Sequence, residues 1–223
     1  MEQHLSDKYR YERKYIVQKN QLSIFISDIY NNNFIKLYDE RRVNNVYFDS
    51  KNFNAVSDNI DGLSTREKIR IRWYGRIFDT SIKTLEIKIK NEFLNRKNIF
   101  DLGVYKLSDY KSISDYKGLL KNNKSKFESL YYKKLASLDP SLLNSYRRSY
   151  FFNPISQTRI TIDEDLYFFS PITSVKYYEK YNIVEAKFEK NNEFINNYDN
   201  LTLTRYSKYA KGSLQTNFYR SNY

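Results

Sequence analysis

The chain has 223 residues, enough for one domain with a hydrophobic core, and its formal net charge is +12. This charge favours a polyanionic partner such as nucleic acid, an anionic membrane surface or a phosphate compound. Cysteine is absent and the only histidine is His4, which disfavours disulfides, thiolate or imidazole metal sites and histidine catalysis. A metal ion would have to bind to carboxylates, as Mg²⁺ and Mn²⁺ do. With no apolar leader and no stretch that approaches a membrane span, we expect a soluble, cytoplasmic protein.

Most of the chain alternates apolar and polar residues with a period of two, which predicts β-strands. In chain order the alternating segments are YRYERKYIV (9–17), NNVYFDS (44–50), KIRIRWYG (68–75), TLEIKIK (84–90), NSYRRSYFF (144–152), TRITIDE (158–164) and NIVEAKFE (182–189). Helical spacing predicts a helix over 21–30, with Asn20 as its N-cap. It also predicts a longer helix over 115–138, which Pro140 follows. The pattern indicates a predominantly β domain with at least two helices.

The polar faces of these strands carry mainly arginine and lysine. In KIRIRWYG, Lys68, Arg70 and Arg72 share one face at intervals of about 7 Å, and Ile69 and Ile71 lie on the other. For any single strand, a solvated polar face is the simpler interpretation. Because the arginines recur on several strands, they favour forked contacts with phosphate instead. A barrel with a charged lumen and an apolar exterior beneath helices would account for both faces.

Eight short motifs add a second line of argument. They are R-x-E-x-K at 10–14, YFDS at 47–50, R-x-R-x-Y at 70–74, LEIK at 85–88, Y-x-R at 146–148, R-x-T-x-D at 159–163, E-x-K at 185–187 and YSKYAKG at 206–212. In this order they resemble the VTC domains, polyphosphate-polymerase modules of the triphosphate tunnel metalloenzyme (CYTH-like) superfamily. The resemblance extends over roughly residues 8–215, and 1–223 is predicted to be a single domain. It implies an α+β fold: an antiparallel β-barrel tunnel with an Arg- and Lys-lined lumen, flanking helices and a C-terminal plug helix.

The resemblance also implies roles for the residues at matching positions. Those implied to hold the triphosphate during catalysis are Lys14, Arg70, Arg72, Lys88, Arg148, Arg159 and Lys208. Further substrate contacts are implied for Arg10, Lys97, Tyr146, Lys187, Ser207 and Lys211. The implied ligands for Mn²⁺ or Mg²⁺ are Glu185 and Glu12. Arg10 stands where the hydrolases and cyclases of the superfamily commonly have glutamate, and this departure resembles the polymerase branch.

The implied activity is that of a polyphosphate kinase-type phosphotransferase, which transfers the γ-phosphate of ATP or another nucleoside triphosphate to inorganic polyphosphate. Phosphoryl transfer needs charge neutralisation more than a protein nucleophile, which suits a chain without cysteine. The sequence lacks a Walker A motif, which disfavours a P-loop kinase.

Two alternatives stay open at this point. One is a hydrolase of the same fold that cleaves inorganic triphosphate, a nucleoside triphosphate or an RNA 5′-triphosphate. The other is a non-catalytic polyanion-binding protein. Nucleic acid is the disfavoured polyanion, because the arginines alternate with core aliphatic residues rather than with exposed aromatic ones. The sequence identifies no protein partner.

Overall fold

A computed structural model describes residues 10–92, 95–189 and 201–218 of the chain. His4 therefore lies outside the described residues, as does the side chain of Arg10. The strands are β1 (Arg10–Gln18), β2 (Ile35–Asp49), β3 (Arg66–Tyr74), β4 (Ser81–Lys90), β5 (Asn95–Tyr105), β6 (Asp139–Asn153), β7 (Thr158–Phe169), β8 (Lys176–Tyr178), β9 (Tyr181–Glu189) and β10 (Thr202–Thr204). The α-helices are α1 (Leu22–Asn31), α2 (Asn54–Ile60), α3 (Tyr116–Asn122), α4 (Ser129–Ala136) and α5 (Lys208–Ser213).

The strands form a mostly antiparallel sheet in the order β10-β1-β9-β7-β6-β2-β3-β4-β5, with β8 beside β7. This order is open among the described residues, so the predicted closed barrel is not confirmed. The predicted C-terminal helix is present as α5, which continues into a π-helical turn over Leu214–Phe218. None of the helices in the described ranges has the length and apolar character needed to cross a membrane.

The described residues divide into two compact units. The first unit is drawn from 1–41, 147–165 and 179–206, and the second from 42–146, 166–178 and 207–223. In the first unit, α1 packs its buried side chains on the apolar faces of β7 and β9. This core includes Leu22, Phe25, Ile29, Ile160, Ile162, Val184 and Ala186. Burial of each large aliphatic or aromatic side chain contributes about 1.5–3 kcal/mol, so this alternation fixes which face of each strand remains polar.

The second unit has a core of the same design. Ile69 and Ile71 of β3 and Leu85 and Ile87 of β4 are buried against the helices. The helical side of this core includes Tyr116, Leu119, Leu120 and Leu135. In each unit the structure thus confirms the predicted separation of an apolar face beneath helices from a face rich in charge.

Trp73 lies in the second core and has a cation beside it. Its indole Nε1 donates a hydrogen bond to the carbonyl oxygen of Ile77 (3.2 Å), and Lys83 Nζ lies 4.8 Å from its ring centroid. Lys83 is fully buried and donates to Ser81 Oγ at 2.7 Å. Burial lowers the pKa of Lys83 to about 8, although Asp79 acts in the opposite direction.

Two helix predictions were wrong in detail. Asn20 does not cap α1, because a 3-10 turn over Lys19–Gln21 precedes the helix and places Gln21 at the N-cap position. The helix predicted over 115–138 is two helices, α3 and α4. Asn123 ends α3, where its side-chain Nδ2 donates to the carbonyl oxygen of Leu119 at 2.9 Å. A side chain that bonds to the last turn of a helix competes with its continuation.

Candidate functional site

A buried carboxylate organises the charged face of the second unit. The register of β3 and β4 sets Arg70 directly opposite Glu86, and residues in this relation share a face of the sheet. Arg70 donates from Nε and Nη2 to Glu86 Oε2 at 2.8 and 2.6 Å. Arg70 Nη1 also donates to the hydroxyl of Tyr47 at 3.2 Å. The guanidinium group is therefore fixed from two strands.

Glu86 binds two further cations. Lys97 Nζ lies 2.9 Å from Glu86 Oε1, and Arg72 Nη1 lies 3.6 Å from the same oxygen. Arg72 Nε donates to Asn45 Oδ1 at 2.8 Å. Burial alone would raise the pKa of Glu86, but Arg70, Arg72 and Lys97 together lower it to about 2. Glu86 is therefore ionised at neutral pH while only 8% of its side chain is exposed.

Lysines extend this face across three strands. Lys68 lies opposite Lys88, and Lys88 lies opposite Lys97. We call Lys68, Arg70, Arg72, Lys88, Lys97 and Glu86 the Arg70 cluster: five cations and one carboxylate. Like charges in register repel one another and destabilise a sheet, so an anion bound here would relieve the repulsion. Of the predicted site residues, Arg70, Arg72, Lys88 and Lys97 come together in this cluster.

Helix α5 carries other predicted site residues of the second unit. Ser207 caps the helix, accepting from the Ala210 amide at 3.3 Å and from Lys68 Nζ at 3.1 Å. This second bond connects the cap to the Arg70 cluster. Lys208 Nζ lies 4.9 Å above the ring of Tyr146, which is buried.

Lys211 has a different neighbour. Its Nζ lies 5.9 Å from the ring centroid of Tyr177 on β8. The structure thus records a contact with an aromatic ring for Lys211, and its predicted role with substrate stays a prediction.

The YFDS motif anchors α5. Tyr209 is 1% exposed, stacks on Tyr47 with ring centroids 4.6 Å apart, and donates its hydroxyl hydrogen to Asp49 Oδ2. Asp49 also accepts from the backbone amides of Ala55 and Val56 at 3.0 and 3.1 Å, at the start of α2. Asp49 therefore joins the end of β2 to two helices. Burial, reinforced by Asp49, raises the pKa of Tyr209 well above its ordinary value.

Gly212 packs closely against its neighbours, so a substitution at this residue tests the position of α5. A Cβ atom at this residue would lie 2.8 Å from Leu142 Cδ2 and closer still to the Phe168 ring. Both neighbours are fully buried, so we expect Gly212→Ala to lower the free energy of unfolding by about 1–3 kcal/mol. Denaturant titration measures this change.

Gly118 provides the matched control for that titration. It lies on the exposed side of α3, where a Cβ atom would meet nothing within 4 Å. Gly118→Ala is expected to stabilise the protein by about 0.5–1 kcal/mol, because alanine loses less backbone freedom on folding. Equal stability of the two variants would contradict the packing described for α5.

In the first unit, two carboxylates alternate with two lysines across β1 and β9. Glu12 lies opposite Lys187, and Lys14 lies opposite Glu185. Lys187 Nζ is 3.1 Å from Glu185 and 3.6 Å from Glu12, and Lys14 Nζ is 3.2 Å from Glu12 and 4.0 Å from Glu185. We call these four residues the Glu185 cluster. It contains both predicted metal ligands.

The Glu185 cluster brings together two carboxylates, too few to hold a metal ion without further ligands. Within the described ranges, no group of three or more His, Cys, Asp or Glu side chains could hold a metal. Mg²⁺, however, is usually held by one or two carboxylates together with waters and substrate phosphates. Thr161 lies opposite Glu185 in the register of β7 and β9, and its buried Oγ1 has no hydrogen-bond partner in the described part of the chain.

The remaining predicted arginines of the first unit have different surroundings. Arg148 forms a fork with Asp163, from Nε to Oδ1 at 2.5 Å and from Nη2 to Oδ2 at 2.8 Å. The Asp163 side chain is 1% exposed, so its full burial requires this partner. Arg159 lies opposite Lys187 and is exposed. Arg10 lies opposite Glu189 at the start of β1.

Three structural roles escaped prediction from the sequence. The sequence assigned no role to Glu86, Asn45 or Asp49, whose contacts the structure shows. A glutamate flanked by Leu85 and Ile87, on a strand whose other charged residues are all lysines, is the signal that could have indicated Glu86. Asn45 and Asp49 depend on register and on α5, which no single segment reveals.

Comparison with known proteins identifies a family that matches nearly the whole chain. The VTC domain family matches residues 9–217. No curated protein matches the sequence. A solved structure from Hippeastrum, a proposed adenylyl cyclase described as having a dominant triphosphatase activity, aligns with a TM-score of 0.52 at 12% identity, over 93% of this chain and 97% of that one. A proposed adenylate cyclase from Bacillus halodurans aligns with a TM-score of 0.46 at 17% identity, over 93% and 87%. Because the Hippeastrum protein is only 12% identical to this chain, the similarity between them shows a shared fold alone.

Proposed function

Because the chain belongs to the VTC domain family, within the triphosphate tunnel metalloenzyme superfamily, we propose that it is a metal-dependent polyphosphate polymerase. In this reaction the γ-phosphoryl group of ATP or another nucleoside triphosphate passes to the end of an inorganic polyphosphate chain. The bond from the γ-phosphorus to the bridging oxygen breaks, and the nucleoside diphosphate leaves. The family and the fold support the broader role, phosphotransfer or triphosphate binding.

The observation that carries the proposal is the Arg70 cluster. Three of its five cations contact a single carboxylate, and Arg70 and Arg72 are held in place by Tyr47, Asn45 and Glu86. Fixed guanidinium groups bind phosphate oxygens in forked pairs and need no reorganisation as charge develops. Such an arrangement suits a transition state whose charge is spread over the equatorial phosphoryl oxygens.

The residues of this chain have separable tasks in the proposed reaction. Arg70, Arg72 and Lys97 would bind the transferring phosphates, and Lys68 would keep the Ser207 cap of α5 beside them. The acceptor is an anionic phosphate oxygen that needs no deprotonation, which agrees with the absence of cysteine and the single histidine. Glu185 and Glu12 would hold Mn²⁺ or Mg²⁺, which neutralises phosphate charge when bound.

The test is incubation of purified protein with ATP and Mn²⁺, followed by gel electrophoresis with a polyphosphate stain. We expect a metal-dependent ladder of polyphosphate from the wild type and a loss of about 10² or more in its rate of formation from Arg72→Ala. Arg96→Ala is the matched control, because Arg96 is an exposed arginine of β5 opposite Ile89. This control is expected to keep the wild-type rate.

The same incubation separates the two other functions. A triphosphatase, the activity described for the Hippeastrum protein, would release orthophosphate and leave no polymer. A non-catalytic polyanion-binding protein would leave ATP intact. Either result, at protein and metal concentrations that permit several turnovers, contradicts the proposed polymerase.

A further inference from the structure

A half-exposed aromatic cluster in the first unit has no part in the chemistry proposed so far. The Tyr38 side chain on β2 is 53% exposed. Its ring meets Tyr150 of β6 edge to face, with centroids 5.7 Å apart and an interplanar angle of 83°. The Arg41 guanidinium lies 5.2 Å from the Tyr38 ring centroid. We call Tyr38, Arg41 and Tyr150 the Tyr38 cluster.

Open space adjoins this cluster. A shallow depression of about 540 Å³, open to solvent, is lined by Lys36, Leu37, Tyr38, Asp39 and Arg41. The lining combines one aromatic and one aliphatic side chain with three charged groups, so it offers a ring for stacking and charged groups for the polar edges of a planar ligand.

The position of Tyr150 relates the cluster to a predicted phosphate ligand. Tyr150 follows Arg148 by two residues on β6, so the two side chains share a face at a spacing of about 7 Å. Arg148 is fixed by its fork with Asp163. In a nucleoside triphosphate, the base and the nearest phosphate are separated by one ribose, a distance of the same order.

We propose that the Tyr38 cluster binds the nucleobase of a nucleoside triphosphate by stacking. This inference rests on the proposed function and deepens it, because it assigns the residues that bind the nucleoside part of the donor. Stacking of a base on an aromatic side chain contributes about 1–3 kcal/mol and tolerates different bases. The arginine beside the ring adds a cation–π contact of the kind that such sites use.

The test compares two ligands that differ by the nucleoside. Calorimetric titration with ATP and with inorganic tripolyphosphate, both without metal, is applied to the wild type and to Tyr38→Ala. We expect Tyr38→Ala to bind ATP about 10-fold more weakly, equivalent to about 1.4 kcal/mol, and to bind tripolyphosphate as the wild type does. Tyr38→Phe is expected to keep wild-type affinity for ATP, because its ring remains.

Controls separate this inference from its alternatives. Tyr30→Ala removes a tyrosine that is 47% exposed on α1 of the first unit and is expected to change neither affinity. Equal weakening of ATP and tripolyphosphate by Tyr38→Ala, or no weakening of either, would overturn the nucleobase site. A wild type that makes no polyphosphate but shows the ATP-specific loss in Tyr38→Ala would overturn the proposed polymerase and leave the nucleobase site standing.

Discussion

Glu86→Gln is expected to lower the free energy of unfolding by about 3–5 kcal/mol at neutral pH, the usual effect of breaking a buried ion pair from one side. Glu86 is 8% exposed and offsets the charges of Arg70, Arg72 and Lys97. Glutamine keeps the shape of the side chain and leaves these cations without a counter-charge. For a chain of this size, the change corresponds to a decrease of roughly 6–20 °C in the melting temperature. Thermal unfolding followed by circular dichroism measures it.

The same carboxylate predicts a pH dependence with a definite sign. The pKa of Glu86 is about 2 in the folded protein and 4.5 ordinarily. The stabilisation is therefore complete above about pH 4.5 and is lost as the pH falls towards 2. A shift of this size corresponds to about 3 kcal/mol. The wild type should lose stability over this interval more steeply than Glu86→Gln, which lacks the titrating group.

An added anion should partly replace Glu86. Tripolyphosphate at millimolar concentration is expected to raise the melting temperature of Glu86→Gln more than that of the wild type, because the variant cluster carries one more net positive charge. Glu92→Gln removes an exposed carboxylate of the same unit and should stay within about 0.5 kcal/mol of the wild type. If Glu86→Gln and Glu92→Gln melt at the same temperature, the Arg70 cluster is not organised as described.

Glu185→Gln is expected to reduce metal-dependent turnover by about 10² or more while leaving metal-free triphosphate binding unchanged or tighter. The loss follows if the ion held by Glu185 supplies several kcal/mol of transition-state stabilisation. The gain in binding follows from the Glu185 cluster, because Lys187 at 3.1 Å and Lys14 at 4.0 Å both lose a negative neighbour. A titration with tripolyphosphate and an initial rate for each variant provide both quantities.

Two variants make this result specific. Arg72→Ala should weaken binding and turnover together, because its contact exists in both the ground state and the transition state. Glu164→Gln is the matched control, since Glu164 is a partly buried carboxylate of the first unit paired with Arg147 at 3.3 Å. Full metal-dependent activity of Glu185→Gln would show that the metal assignment is wrong, and Glu12 would become the next candidate.

Strand positions and faces could be predicted because they depend on the alternation of neighbouring residues. Ile69 and Ile71 are buried, and Arg70 and Arg72 lie on the charged face, as their spacing predicts. The division of the 115–138 helix escaped prediction, since the apolar stripe continues past Asn123 and only the contacts of its side chain show where α3 ends.

The partners of the charged residues were harder to predict than the faces of the sheet on which these residues lie. The pairing of Arg70 with Glu86 depends on the register of β3 and β4, and a shift by one residue would remove it. Arg148 was predicted as a phosphate ligand, but its fork with Asp163 joins two strands that no local pattern aligns. Catalytic roles, the metal and the tunnel came from the family resemblance, and for the individual residues they stay predictions.

The position of Trp73 gives the protein a built-in fluorescent probe. It is the only tryptophan in the chain, and it follows Arg72 on β3 while its own ring is buried in the second core. Its emission therefore comes from a single environment, without labelling. The ammonium group of Lys83, 4.8 Å from the ring, makes that emission sensitive to small displacements of β3 and β4. The fluorescence of Trp73, which lies on the opposite face of β3 from Arg72, can accordingly be used to follow anion binding at the Arg70 cluster.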